Sequence, residues 1–132
     1  GQRRDLNREK FKSENLSAVL NNPESNANKN LKYLRNAMDV RSELKQFHPC
    51  SQMKCLSKGR SDIVVIKRGK GPESVFAIHN MTENKINYQL NDNDLPKIID
   101  NDFNTHDFLT STKYNCKNIS LDPFQVIWLS AL

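Results

Sequence analysis

The sequence predicts an α+β fold: an N-terminal helical segment over residues 1–58, then an antiparallel, β-sandwich-like C-terminal domain over residues 59–132. Three observations predict it. Apolar residues recur at three- and four-residue steps through the first part. Two apolar, β-branched runs then flank Gly69-Lys70-Gly71-Pro72, and the segments after them are short and bounded by Asn, Asp and Pro.

Ser13 is placed to cap a first helix carrying Leu16, Val19 and Leu20 on one side, and Asn21-Asn22-Pro23 breaks it. Ser25 is placed to cap a second. Along it Ala27, Leu31, Leu34, Met38, Val40, Leu44 and Phe47 form an apolar stripe that must be buried against something, with Pro49 as its end. Beyond a polar loop, Ile63-Val64-Val65-Ile66 and Val75-Phe76-Ala77-Ile78 read as a hairpin. Lys85 to Leu90 alternates polar and apolar residues and is expected to join them as the third strand of a meander. Asn91 to Asn104 reads as a loop from which Leu95, Ile98 and Ile99 dip into the core. Phe108-Leu109 reads as a short strand, and Asn118 to Leu132 as a last extended segment bent at Pro123, giving roughly six strands.

The chain has 132 residues, enough for one domain or one domain with an appendage. No apolar run approaches the roughly 20 residues that cross a bilayer, so a soluble, cytoplasmic protein with no membrane partner is expected. The chain starts at Gly1 and its first Met is Met38, which favours a piece of a longer protein. Cys50, Cys55 and Cys116 are odd in number and lack the usual zinc spacing, and they read as reduced thiols. The sequons Asn80-Met81-Thr82 and Asn118-Ile119-Ser120 read as chance in so Asn-rich a chain.

Charge is uneven, with 13 Lys and Arg against 6 Asp and Glu in residues 1–60, and 7 against 9 thereafter. A basic half can mark a nucleic-acid surface. Here the positive residues are mixed with acids and lack interleaved aromatics for base stacking, so nucleic acid is not expected as a partner.

Arg4-Asp5-Leu6-Asn7-Arg8, the two helices ending near Phe47-His48-Pro49, and the final Leu121-Asp122-Pro123-Phe124-Gln125-Val126-Ile127-Trp128-Leu129 together resemble the end of glycoside hydrolase family 13, the α-amylase family. Within it the chain is most similar to sucrose phosphorylases, which carry Arg-Asp-Ile-Asn-Arg after the last barrel strand; Leu6 departs from that Ile. The resemblance implies that residues 1–58 are the closing helices of a (β/α)8 catalytic barrel and that residues 59–132 are the C-terminal β domain. It implies a parent enzyme acting on an α-glucoside and phosphate, or a related α-glucan hydrolase or transglycosylase, with no cofactor. It also implies that Arg4 reaches the glucosyl pocket, where a rigid fork of donors can hold a sugar hydroxyl. The plainer reading of Arg4 is a terminal residue that touches no substrate. Asn7 and Arg8 read as capping and pairing residues.

Retaining glucosyl transfer needs two carboxyl groups about 5 Å apart, one as nucleophile and one as acid and base. The Asp residues from Asp92 to Asp102 sit in a turn-rich loop and read as solvated or capping, so no catalytic residue and no metal ligand is assigned in this chain. His48, Cys50 and Cys55 make an unconvincing zinc set. His79 reads as a hydrogen-bonded structural histidine, and Trp128, between Ile127 and Leu129, as core rather than a sugar platform. No phosphate-binding glycine loop, nucleophile elbow or dinucleotide fingerprint is present. A freestanding glycan- or nucleic-acid-binding module is the alternative of a different class.

Overall fold

The computed structural model describes residues 12–95 and 104–130. The chain divides between Asp39 and Val40 into two compact units. Arg4, Ile98 and Ile99 lie outside the described residues.

The first unit holds helix α1, Ser13–Asn21, and most of helix α2, Asn26–Glu43. Ser13 is the first helical residue; the cap position falls on Lys12, whose side chain makes no capping bond. Ser25 does cap α2, its Oγ accepting the N–H of Asn28 at 3.1 Å and donating to the carbonyl of Val19 at 2.6 Å. Asn28 is 9% exposed and donates Nδ2 to the Leu20 carbonyl at 2.5 Å, so the break at Asn22-Pro23 is clasped by polar side chains. Leu34 and Met38 on the apolar stripe are 57% and 69% exposed. Helix α2 stops at Glu43, earlier than the stripe implies, because Leu44 is extended at φ −90° and Lys45–Phe47 form a separate 3-10 turn.

The second unit is built on a four-stranded antiparallel sheet of β1 (Met53–Cys55), β2 (Ile63–Arg68), β3 (Val75–Asn80) and β8 (Val126–Ser130), in the order β1-β2-β3-β8. Two further pairs are β4 (Ile86–Tyr88) with β7 (Ile119–Leu121), and β5 (Asn104–His106) with β6 (Lys113–Asn115). The predicted hairpin forms, with Ile63 opposite Asn80 and Arg68 opposite Val75. Its turn needs Gly69 at φ +81°, where a side-chain Cβ would also come within 2.9 Å of Gln46 Cγ.

The predicted meander does not form. The second neighbour of β3 is β8, with Ala77 opposite Trp128, rather than the Lys85–Leu90 segment. Strand β3 is buried along nearly its whole length and needs long partners on both edges; β8 offers a five-residue register, whereas β4 is three residues long. Phe108-Leu109 is a turn rather than a strand, because the Asp107 carboxylate accepts the Leu109 N–H at 3.2 Å and the Thr110 hydroxyl at 2.7 Å. The final segment is two strands, β7 and β8, since Pro123 and Phe124 (φ +55°) turn the chain between them. Eight strands are found among the described residues; β1 lies in a stretch read as loop, β5 overlaps such a stretch only at Asn104, and β6 falls where no strand is expected.

The inner face of the sheet supplies Ile63 and Val65, Phe76 and Ile78, and Ile127 and Leu129 to one core cluster, joined by Ile119, Leu121, Leu90 and Cys116. Burying each large aliphatic or aromatic side chain contributes about 1.5–3 kcal/mol. Asn80, 2% exposed, donates Nδ2 to the carbonyls of Asn84 at 2.7 Å and Asp122 at 2.8 Å, tying the turn after β3 to the connection before β8. Both hydrogens of this sequon amide are thus engaged.

Candidate functional site

The outer face of the four-stranded sheet carries an aromatic-floored cleft of the second unit. Register places Val64 opposite His79, Ile66 opposite Ala77, and Ala77 opposite Trp128, so these residues share the face away from the core. Trp128 is therefore not a core residue. Its ring packs against Phe47, with centroids 4.6 Å apart at 41°. Arg68, at the end of β2, holds the segment that carries Phe47, donating Nε to the Gln46 carbonyl at 3.1 Å and a terminal nitrogen to the His48 carbonyl at 2.8 Å. The result is a shallow cleft of about 390 Å³ with an apolar floor of Phe47, Ile66 and Trp128 and a rim that includes Arg41, Arg68 and His79.

His79 is partly buried in this cleft, and burial lowers its pKa below the ordinary histidine value, favouring neutral imidazole. Among the described residues, no carboxylate, hydroxyl or thiol lines the cleft. It can bury a complementary apolar surface with acidic groups at its edge, and among the described residues His79 is its one titratable base, with no carboxyl partner or nucleophile lining the cleft beside it.

The other sequence-stated candidates are dispersed. His48 Nδ1 accepts the backbone N–H of Cys50 at 3.2 Å, Cys50 and Cys55 are exposed free thiols, and no group of three metal-ligating side chains occurs among the described residues. Asp92 pairs with Lys117, and Asp94 pairs with Lys54 at 2.6 Å, as loop carboxylates do; Asp100 and Asp102 lie outside the described residues. Phe47 and Arg68 were missed as partners of Trp128. Phe47 was visible only as the last member of the helical stripe, and no sequence signal links it to β8.

No helix among the described residues is long and apolar enough to cross a membrane. No family model and no curated protein matches the chain. Solved structures do match it. AmyP in complex with maltose has a TM-score of 0.65 at 16% identity, over 81% of this chain and 21% of that one. The trehalulose synthase MutB, in complex with the substrate sucrose, has 0.63 at 14% identity, over 88% of this chain and 19% of that one. Bacillus licheniformis trehalose-6-phosphate hydrolase (TreA), as a mutant in complex with PNG, has 0.59 at 18% identity, over 90% of this chain and 20% of that one. These neighbours are enzymes of glycoside hydrolase family 13. The chain spans about a fifth of the length of each, and at these identities the shared property is the fold.

Proposed function

We propose that this chain is the C-terminal part of a carbohydrate-active enzyme of glycoside hydrolase family 13 and that it braces the parent's catalytic barrel without doing chemistry itself. The observation that carries this reading is the fold likeness to AmyP, MutB and TreA, which takes in four-fifths or more of this chain and only about a fifth of theirs. Residues 1–58 would be the closing helices of the barrel, and residues 59–132 its C-terminal β domain. The outer sheet face, apolar with a cationic rim, suits packing rather than bond cleavage.

The reaction we propose is sucrose-phosphorylase-like: transfer of a glucosyl unit from an α-glucoside to phosphate, in the cytoplasm and without a cofactor. Its support is the resemblance of Arg4-Asp5-Leu6-Asn7-Arg8 to the motif of those phosphorylases. Arg4 would hydrogen-bond a hydroxyl of the transferred glucosyl unit, and the carboxyl pair would come from the barrel. Hydrolysis or transglycosylation is the second reading, favoured by the likeness to a trehalulose synthase and a trehalose-6-phosphate hydrolase.

The test is product analysis of the intact parent supplied with sucrose and phosphate. Glucose 1-phosphate is the expected product. Free glucose with unchanged phosphate would move the assignment to a hydrolase, an isomeric disaccharide to a transglycosylase, and no turnover of any α-glucoside would overturn the reading. The 132-residue chain alone should turn over nothing, and turnover by it would refute the bracing role. In the parent, Arg4→Ala should lower kcat/KM at least about tenfold, as expected for loss of a charge-assisted hydrogen bond to substrate.

A further inference from the structure

The register of the sheet brings together a set of cations that no sequence motif announces. Lys54 on β1 stands directly opposite Lys67 on β2. Like charges in that relation repel, and a negative group between them relieves the repulsion. Asp94 supplies part of it: its carboxylate pairs with Lys54 at 2.6 Å, and its backbone carbonyl accepts Lys67 Nζ at 2.5 Å. The Lys67 ammonium also lies 5.3 Å from the Phe76 ring centroid. Lys70, from the turn after β2, lines the same cleft of about 190 Å³, and so does Asn93. Among the described residues, Asp94 is the one carboxylate lining that cleft, beside three lysines.

We propose that Lys54, Lys67 and Lys70 form a binding site for a phosphate-type dianion. Among the described lining residues, three lysines against Asp94 leave a net charge of +2, which one such group would balance. Lysine ammoniums act as rotatable point charges and suit a tetrahedral oxyanion approached from several sides, whereas a planar carboxylate is better matched by the guanidinium fork. The rim at Gly71 leaves the approach open, since a Cβ there would meet nothing within 4 Å. Burial lowers the pKa of Lys67, Lys54 adds to that lowering, and Asp94 opposes it, so an incoming anion would stabilise the charged form. The site lies wholly within the second unit and does not depend on the reaction proposed for the parent.

The ligand chemistry has two sources, free phosphate or the phosphate ester of a sugar. The test is a nuclear magnetic resonance titration of the ¹⁵N-labelled 132-residue chain with sodium phosphate and, separately, glucose 6-phosphate, at constant ionic strength. Saturable shifts are expected at the amides of Lys54, Lys67, Lys70 and Asp94. K54Q and K70Q should each weaken binding at least about fivefold, as loss of one charge-assisted contact does. K85Q, which removes a lysine paired elsewhere with Asp122, should leave binding unchanged. Both K54Q and K70Q alter exposed side chains, so an unchanged spectrum reports that the fold is kept. Tighter binding of the ester identifies a sugar phosphate as the ligand, and tighter binding of inorganic phosphate identifies the free anion. Shifts that never saturate, that sodium chloride reproduces, or that survive K54Q and K70Q would overturn the proposal.

Discussion

The carboxylate of Asp107 accepts the backbone N–H of Trp128 at 2.7 Å, which fastens the turn between β5 and β6 to the outermost long strand of the sheet. Asp107 is fully buried, and the same carboxylate accepts the Leu109 N–H and the Thr110 hydroxyl. Replacement by Ala leaves donors without partners in the interior, and a buried unsatisfied group costs about 1–3 kcal/mol. Asp107→Ala should therefore lower the unfolding free energy by about that amount in urea titrations. Asp107→Asn, which keeps an acceptor for Trp128, should fall between it and the unaltered chain. Equal stability of all three proteins would mean that the carboxylate is not what holds this turn.

Trp128 is the single tryptophan, so its contact with Phe47 can be read by fluorescence. Phe47→Ala uncovers one side of the indole and should shift its emission to longer wavelength. An aromatic pair contributes about 0.5–1.5 kcal/mol beyond the area it buries, so a stability loss of about 1–2 kcal/mol is expected. Arg68→Gln should produce a smaller shift of the same sign, because Arg68 bonds the backbone on both sides of Phe47 rather than the ring. An unchanged emission maximum in Phe47→Ala would show that the indole is not covered from that side.

The three cysteines should separate cleanly by reactivity. Cys116 is fully buried in the core, and burial pushes its thiol up to about 11, so at neutral pH it is a protonated, inaccessible hydrophobe. Cys50 and Cys55 are exposed. A thiol-reactive chromophore at neutral pH should label two cysteines of the native chain quickly, and the third only when denaturant unfolds the core. Rapid labelling of three thiols in native buffer would show that the core around Ile119 and Leu121 opens far more readily than its packing implies.

The central hairpin was legible because β2 and β3 are long apolar runs on either side of a glycine turn, and local pattern is enough for that. The strands that were missed lack such a pattern. Met53–Cys55 is exposed on every residue, so β1 has no alternation to read. Asn104–His106 buries only Thr105, whose hydroxyl donates to the Ser130 carbonyl, a partner far along the chain. The meander failed for a related reason: which strand lies beside β3 depends on competition between β4 and β8, and that is decided by pairing length rather than by sequence order. Phe47 kept the helical period without being in the helix, since its apolar character answers to Trp128. The lysine site was invisible because Lys54 joins Lys67 and Lys70 only through the β1–β2 register. Arg4, the one residue named from the resemblance, lies outside the described residues, and its role rests on that motif.

His79 gives the second unit a directional dependence on pH. Burial lowers its folded-state pKa below the ordinary value of 6.5, so the unfolded chain takes up this proton more readily than the folded one. Where the unfolded state binds more protons, stability rises with pH. The contribution of His79 is therefore fully present above the unfolded value and is lost as pH falls below 6.5 through the lowered folded value. Urea titrations between about pH 7.5 and pH 5 should show stability falling on acidification, with part of the fall removed in His79→Gln, whose amide does not titrate in this range. An identical pH profile for His79→Gln and the unaltered chain would assign the acid sensitivity to other groups and remove His79 from the account.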